Sequence, residues 1–355
     1  MLDYIIVGSG LAGIAFAETL LANDKSFVVF NDTSQNSTRI AGGLYNPIVL
    51  KRFNLVWNAK SQLEIAERFY KNIEEKLTVQ VDFKMPIYRK FFSVEEQNNW
   101  FVAADKPNLT PYLSTKIIDK KYRSIDSPYG FGEVLNTGYI NTQVLLAAYH
   151  EYLKSIDALI EETFDYGRLG VRDSHVAYKN IQARNVVFAE GFGLHANPYF
   201  NHLLLDGTKG ELLIIRTDKL NLDVIVNTSV FIMPLGDNLY RIGATYNWED
   251  KTNVPTKEGK MELLEKIKEI LTCDFEVVDH LAGVRPTVND RRPLIGTHEI
   301  HKNLHVLNGM GTRGVMLAPS MALELFDAIE NGKPLDKSID IKRYDALRQP
   351  PYHNG

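Results

Sequence analysis

Asp3 leads into the apolar run Tyr4-Ile5-Ile6-Val7, which passes straight into Gly8-Ser9-Gly10-Leu11-Ala12-Gly13. An apolar run closed by glycines predicts a buried strand over 3–7 and a tight turn out of it. Residues 14–22 are apolar with one interruption at Glu18 and predict a helix; a second apolar run, 26–30, closes a strand–helix–strand unit. Across 61–77, Leu63, Ala66, Phe69, Tyr70, Ile73 and Leu77 recur at the spacing of one helical face. Residues 141–153 and 257–271 predict two more helices, the second with a strongly charged outer face. β-Branched content between turn signals predicts strands over 211–216, 224–226, 230–233 and 239–244. Residues 185–189 and 304–307 predict strands that end in glycine-rich loops. A helix over 318–330 takes Pro319 in its first turn, where a missing N–H is tolerated.

These elements predict an α/β fold in which one domain is interrupted twice by another. A Rossmann-type dinucleotide-binding domain with a parallel sheet takes 1–50, 135–200 and 280–335. A sheet-rich α+β substrate or cap domain takes 51–134 and 201–279. Residues 336–355 are expected to form a C-terminal tail, loosely held from Arg348 onward.

Composition changes this picture little. The length of 355 residues suits about two domains. A net charge of −4 gives no support for broad attraction to nucleic acid or membrane. Cys273 is the single cysteine, so no disulfide forms within the chain, which fits a reducing cytoplasm. The apolar helix near the N-terminus is too short to span a bilayer, and no basic signal region precedes it.

The turn after the first strand carries the chemistry. Gly8 permits the tight turn, Gly10 lets the backbone approach a pyrophosphate, and Gly13 lets helix pack on strand. The phosphates then meet free N–H groups at the positive end of the helix dipole, beginning with Leu11 and Ala12. Asn31, with Asp32 after it, ends the second strand where an adenosine ribose is held. Thr33-Ser34-Gln35 supplies no cation for a ribose phosphate, which argues against NADP. NAD and FAD share this half-site, so the turn leaves that choice open. Two other stretches match the glycine pattern, Gly191–Ala196 and 309–314. Pro198 follows the first too closely for a crossover helix, and no further strand–helix–strand unit follows the second. One complete dinucleotide site is therefore expected. The nine histidines show no metal-ligand spacing, and no metal is expected.

Taken together, the Gly8–Gly13 turn, Asn185-Val186-Val187-Phe188-Ala189-Glu190-Gly191 and the closing GVRPTVNDRRPLIG…NGMGTRGVMLAP resemble the FAD-dependent D-amino-acid oxidase/glycine oxidase (DAO) family over nearly the whole chain. Within it, the likeness is nearest to the oxidase half of the bifunctional bacterial tRNA wobble-uridine-modifying enzyme. Ile40–Pro47, Lys209-Gly210-Glu211, Ile242–Tyr246 and Asp290–Leu294 carry that likeness. Glu190 departs from the family's usual threonine.

The resemblance implies non-covalently bound FAD and a set of roles. Arg285 matches the arginine that grips the substrate carboxylate, a task suited to the guanidinium fork; the rival role is a structural ion pair to Asp290. Arg313 matches the loop facing the flavin, with Gly311, Thr312, Gly314 and Val315 beside the cofactor. Gly42, Gly43 and Leu44 match a stretch that runs along the flavin, Glu190 and Gly191 a strand end near it. Tyr45 and Tyr246 are candidates for lining the pocket, and Phe231 stands near a glycine-oxidase tyrosine. The implied activity is oxidation of the C–N bond of a carboxylated amine or amino acid by hydride transfer to flavin N5. The alternatives are oxidative removal of a carboxymethyl group from a tRNA wobble uridine and a non-catalytic flavin or electron-transfer protein. The amine, the electron acceptor and the oligomeric state stay open.

Overall fold

The computed structural model of the chain describes residues 1–347, so the expected loose end from Arg348 lies outside the described residues. Two compact units are present. The first comprises Met1–Thr38, Leu146–Thr208 and the residues from Val284; the second comprises Arg39–Leu145 and Lys209–Gly283. Residues 39–50 and 135–145, expected with the dinucleotide domain, thus belong to the second unit. The reason is local pairing: Leu44–Tyr45 pairs antiparallel with Gly138–Ile140, which also pairs with Asp82–Lys84. Residues 201–208 go to the first unit, where Leu205 bridges to Val288.

Elements of the first unit are, in order, β1 (Leu2–Val7), α1 (Leu11–Leu21), β2 (Phe27–Phe30), α2 (Thr142–Ser155, which enters this unit from Leu146), β3 (Leu159–Ile160), β4 (Ile181–Phe188), β5 (Leu294–Thr297), β6 (Leu304–Asn308) and α3 (Gly314–Glu330). β3, β2, β1, β4 and β6 lie side by side and parallel. β5 adds antiparallel to β6, and the hairpin Leu169–Val171/Val176–Tyr178 covers the first half of β4. Ile5, Val7, Val28, Phe30, Val186, Phe188, Leu304 and Val306 share one core. Burial on both faces explains why these strands read as continuous apolar runs.

α3 begins at Gly314, earlier than expected, through the tight turn Gly311–Arg313, so Pro319 sits inside the helix and not in its first turn. Its ring preserves the helical φ at the cost of one backbone donor. The segment after residue 336 is also not a free tail. Ile339 and Ile341 are buried, Ile295 N donates to Ile339 O at 3.1 Å, and Arg343 donates to the carbonyls of Arg292 and Pro293.

The second unit is built on an eight-stranded sheet in the order Glu276–Arg285, Thr208–Arg216, Leu239–Gly243, Phe231–Gly236, Ile225–Asn227, Ile87–Lys90, Phe131–Val134, Leu113–Ile118. Along these strands side chains alternate between faces. Leu213, Ile215, Val226, Ile232, Tyr240 and Ile242 pack with Leu263 and Ile267 of the helix Lys257–Lys268. Ile87, Val134, Ile225 and Met233 pack with Trp100 and Ala103 of the helix Val94–Ala104. That last helix was not expected from periodicity, but Ser93 caps it by accepting from Glu96 N at 3.1 Å. Among the described residues no helix is long and apolar enough to cross a membrane.

Candidate active site

The Gly8–Gly13 turn of the first unit has no room for side chains where backbones meet. Gly8 has φ +101°, and a Cβ there would lie 2.5 Å from Ala189 O. A Cβ on Gly13 would lie 1.9 Å from Gly8 O, so α1 rests directly on the turn. Gly10 caps α1 without a side-chain bond, and Leu11 N reaches Thr38 Oγ1 only at 3.4 Å. The first amides of α1, from Leu11 and Ala12, therefore form the electropositive helix end that suits a pyrophosphate. A Cβ on Gly314 would meet Leu11 Cδ1 at 3.0 Å, so the loop that opens α3 packs on this turn.

Around the turn stand the expected ribose acceptors. Asn31 follows β2, its amide donating to Ile160 O at 3.0 Å, and Asp32 Oδ1 accepts from Ser34 N at 3.0 Å. Glu190 is buried next to Gly8, and its carboxyl accepts from Asn197 Nδ2 at 2.8 Å and from the Tyr166 hydroxyl. Burial pushes its pKa up to about 7, with Asp32 adding to the rise and the two donors opposing it. Gly191 has φ +56° and nothing within 4 Å of an added Cβ, which leaves that backbone open to a ligand. Asn308 Nδ2 donates to Gly191 O at 2.9 Å and ties the ends of β6 and β4 together. This cradle, with two glycines that admit no Cβ and one open backbone, fits FAD.

Sequence reasoning missed one residue here. His150 Nε2 of α2 lies 2.8 Å from the buried Ser9 Oγ, so an imidazole braces the second position of the turn.

Arg285 ends the strand Glu276–Arg285, and the next residues build a knot of backbone bonds. Gly311 N donates to Pro286 O at 3.0 Å, and Asp206 N and Gly207 N donate to Thr287 O at 2.9 and 3.1 Å. Gly311 has φ +56° with its nearest neighbour, Thr287, 3.9 Å from an added Cβ. The backbone directly after Arg285 is thus bonded to the Gly311–Arg313 turn, with Thr312 exposed, Arg313 and Gly314 half-buried and Val315 buried. Asp290, the carboxylate of the structural rival role, pairs with Arg343 Nε at 2.9 Å and accepts from the Tyr344 hydroxyl at 3.2 Å.

In the second unit, a Cβ on Gly42 would lie 3.0 Å from Phe231 Cζ, and one on Gly43, at φ +67°, 1.9 Å from Ile140 O. Leu44 pairs with Tyr139. Tyr45 is buried and its hydroxyl donates to Asp82 at 2.7 Å. Burial and the adjacent Asp82 raise its pKa well above the usual phenol value, so the phenol stays protonated. Tyr246 is 61% exposed. The loop after it is anchored by Lys209, whose fully buried ammonium reaches Asp250, Thr252 and the Val254 carbonyl. That hydrogen bond from Lys209 is the main reason the Asp250 pKa falls to about 2. Glu211 accepts from Thr256 N at 3.0 Å and Thr256 Oγ1 at 2.7 Å, fixing the start of the helix Lys257–Lys268.

Arg241 was also missed. It faces the side of the sheet opposite Tyr240 and Ile242, opposite Met233 in register, and its Nη1 donates to Ala41 O at 3.1 Å.

Comparison with known proteins agrees with this geometry. The family model "FAD dependent oxidoreductase" (DAO) matches residues 3–328. A glycine oxidase of Bacillus subtilis is 23% identical, covering 93% of this chain and 93% of the relative. The tRNA 5-methylaminomethyl-2-thiouridine biosynthesis bifunctional protein MnmC of Marinobacter nauticus is 28% identical over 92% of this chain, which spans 55% of that protein. Among solved structures, glycine oxidase from Geobacillus kaustophilus superposes with a TM-score of 0.74 at 19% identity, covering 98% of this chain and 99% of that one.

Proposed function

The chain belongs to the FAD dependent oxidoreductase (DAO) family, and from that premise we propose that it oxidises the C–N bond of a carboxylated amine or amino acid, with Arg285 holding the carboxylate. The observation that carries this reading is the union of the backbone after Arg285 with the Gly311 turn through the Pro286 carbonyl, 3.0 Å from Gly311 N. FAD, held by the Gly8–Gly13 turn, would supply the two-electron oxidant for the C–H next to nitrogen. The chain's own residues bind and orient. The Arg285 fork grips two carboxylate oxygens and fixes the reacting carbon, the backbone bonds at Pro286–Thr287 hold the strand end that carries it, and the amine enters neutral. No protein general base is required, so catalysis is positioning and electrostatics. The imine product hydrolyses in water.

A second reading is favoured by the likeness to the bifunctional tRNA-modifying protein over 92% of this chain. A carboxymethylaminomethyl uridine is itself a carboxylated secondary amine, so the same Arg285 grip serves it. Anaerobic mixing with glycine, N-methylglycine, other amino acids and under-modified tRNA separates the two. Bleaching of the flavin absorbance by a small carboxylated amine supports the first reading, and bleaching by tRNA alone supports the second. Bleaching only by amines without an acid group would overturn both.

A further inference from the structure

We propose that Arg241 forms, within the second unit, a binding site for a carboxylate that the chain does not itself supply. The contrast with Arg89 of the same unit makes the argument. Arg89 pairs with Glu96 through Nε at 3.0 Å and Nη2 at 2.7 Å, and its Nη1 reaches Asn227 Oδ1 at 3.1 Å and Thr228 O at 2.9 Å. Every edge of that guanidinium is used, which is how a structural arginine is held. Arg241 has one hydrogen bond, from Nη1 to Ala41 O at 3.1 Å. Its Nε is buried and has no partner among the described residues, and no carboxylate there pairs with it. Arg241 is half-buried with its Nε wholly so, and a buried N–H left unpaired is costly. Burial accordingly holds its pKa below the ordinary guanidinium value.

The geometry of what is left names the ligand. With Nη1 committed to Ala41, the remaining edge is the Nε–Nη2 pair, two parallel N–H groups that match the two oxygens of a carboxylate. Tyr139 is close enough to act on the charge of Arg241. Phe231, packed on Gly42, gives an apolar neighbour on the adjacent strand in register with Gly243. A small carboxylate with an apolar body fits this setting; a neutral amide of the same shape does not neutralise the charge. The proposal does not rest on the role given to Arg285.

The test titrates 13C-labelled acetate into the FAD-loaded protein and follows its NMR line width, with acetamide as the uncharged control. In Arg285→Ala a saturable acetate site should persist, and Arg241→Gln should weaken the Arg241 site by at least about tenfold. Arg241→Lys keeps the charge without the fork and should recover part of the loss, which serves equally if Arg241→Gln fails to fold. Acetate binding that vanishes with Arg285→Ala, that is untouched by both Arg241 variants, or that acetamide reproduces would overturn the proposal. The titration needs no turnover, so its result stands whichever amine the enzyme oxidises.

Discussion

Replacing Gly13 by alanine places a methyl carbon 1.9 Å from the Gly8 carbonyl oxygen, where real Cβ atoms essentially never approach closer than 3.0 Å. Something must move by more than an ångström, and both partners are backbone. The turn cannot yield easily, because Gly8 N donates to Phe30 O at 2.8 Å and Ala189 N donates to Val7 O at 2.7 Å. The helix must therefore lift from the strand. Overpacking of this kind costs about 1–3 kcal/mol, of which the better helix propensity of alanine returns up to about 1 kcal/mol. The larger effect falls on the cofactor. The displaced first turn of α1 carries the amides aimed at the pyrophosphate, and each bond to a charged oxygen is worth roughly 1.5–3 kcal/mol, or about ten- to a hundredfold in affinity. FAD added to the apoprotein and followed by quenching of flavin fluorescence should bind Gly13→Ala at least about tenfold more weakly than the parent. Affinity within about threefold, at unchanged thermal stability, would refute the close approach of helix and turn.

Four further outcomes are expected. Arg285→Ala should keep FAD but slow flavin reduction by a carboxylated amine by about ten- to a hundredfold; an amine without the acid group should be nearly indifferent, and equal slowing of both would make Arg285 a scaffold residue. Acid precipitation should release FAD into the supernatant, whereas yellow colour kept in the pellet would contradict non-covalent binding. NADH and NADPH should fail to bleach the flavin in anaerobic stopped flow, since among the described residues one glycine turn lies within a complete strand–helix–strand unit. Glu190, with a folded pKa of about 7 against 4.5 for an ordinary glutamate, stabilises the fold fully only at low pH and loses that contribution as pH rises through 7. Urea unfolding at pH 5 and pH 8 should therefore show the parent losing more stability than Glu190→Gln, by up to about 3 kcal/mol; parallel profiles would mean the carboxyl is not buried as described.

The parts of this fold that were legible are those whose constraints are local. Gly8, Gly10 and Gly13 declare themselves because steric demands of a strand-to-helix turn act across a few residues, and the contacts at Gly8 and Gly13 are backbone contacts. β1, β2, β4 and β6 stand out because both faces of a parallel sheet are covered, so their sequences lack polar alternation. The domain edges were harder. Residues 39–50 continue directly from the dinucleotide segment, and nothing local says that Leu44–Tyr45 will pair with a strand as distant as Gly138–Ile140. The helix Val94–Ala104 was hidden for another reason: only Trp100, Ala103 and Ala104 are buried, and Glu95, Glu96, Gln97, Asn98 and Asn99 dilute its apolar face.

Site residues divide along the same line, according to whether their meaning is carried by shape or by charge. Nothing local in the sequence says that the Tyr45 hydroxyl is held by Asp82, 2.7 Å away and 37 positions later. His150 reads as one polar residue on an amphipathic helix until Ser9, 141 positions earlier, is found 2.8 Å away. Asp290 looks like the natural partner of Arg285 by proximity in sequence, yet Arg343 takes it at 2.9 Å. Arg241 is the extreme case, because its buried Nε has no partner among the described residues. Alternation along Leu239–Gly243 does put Tyr240 and Ile242 on the core face and Arg241 on the other, and that pattern is visible in the sequence. Whether a counter-ion waits on that other face is decided only when the neighbouring strands and the Ala41–Gly43 stretch are assembled. Glycine positions are thus written into the chain as missing side chains, whereas a missing partner has no residue to record it and must be read from the folded charge balance.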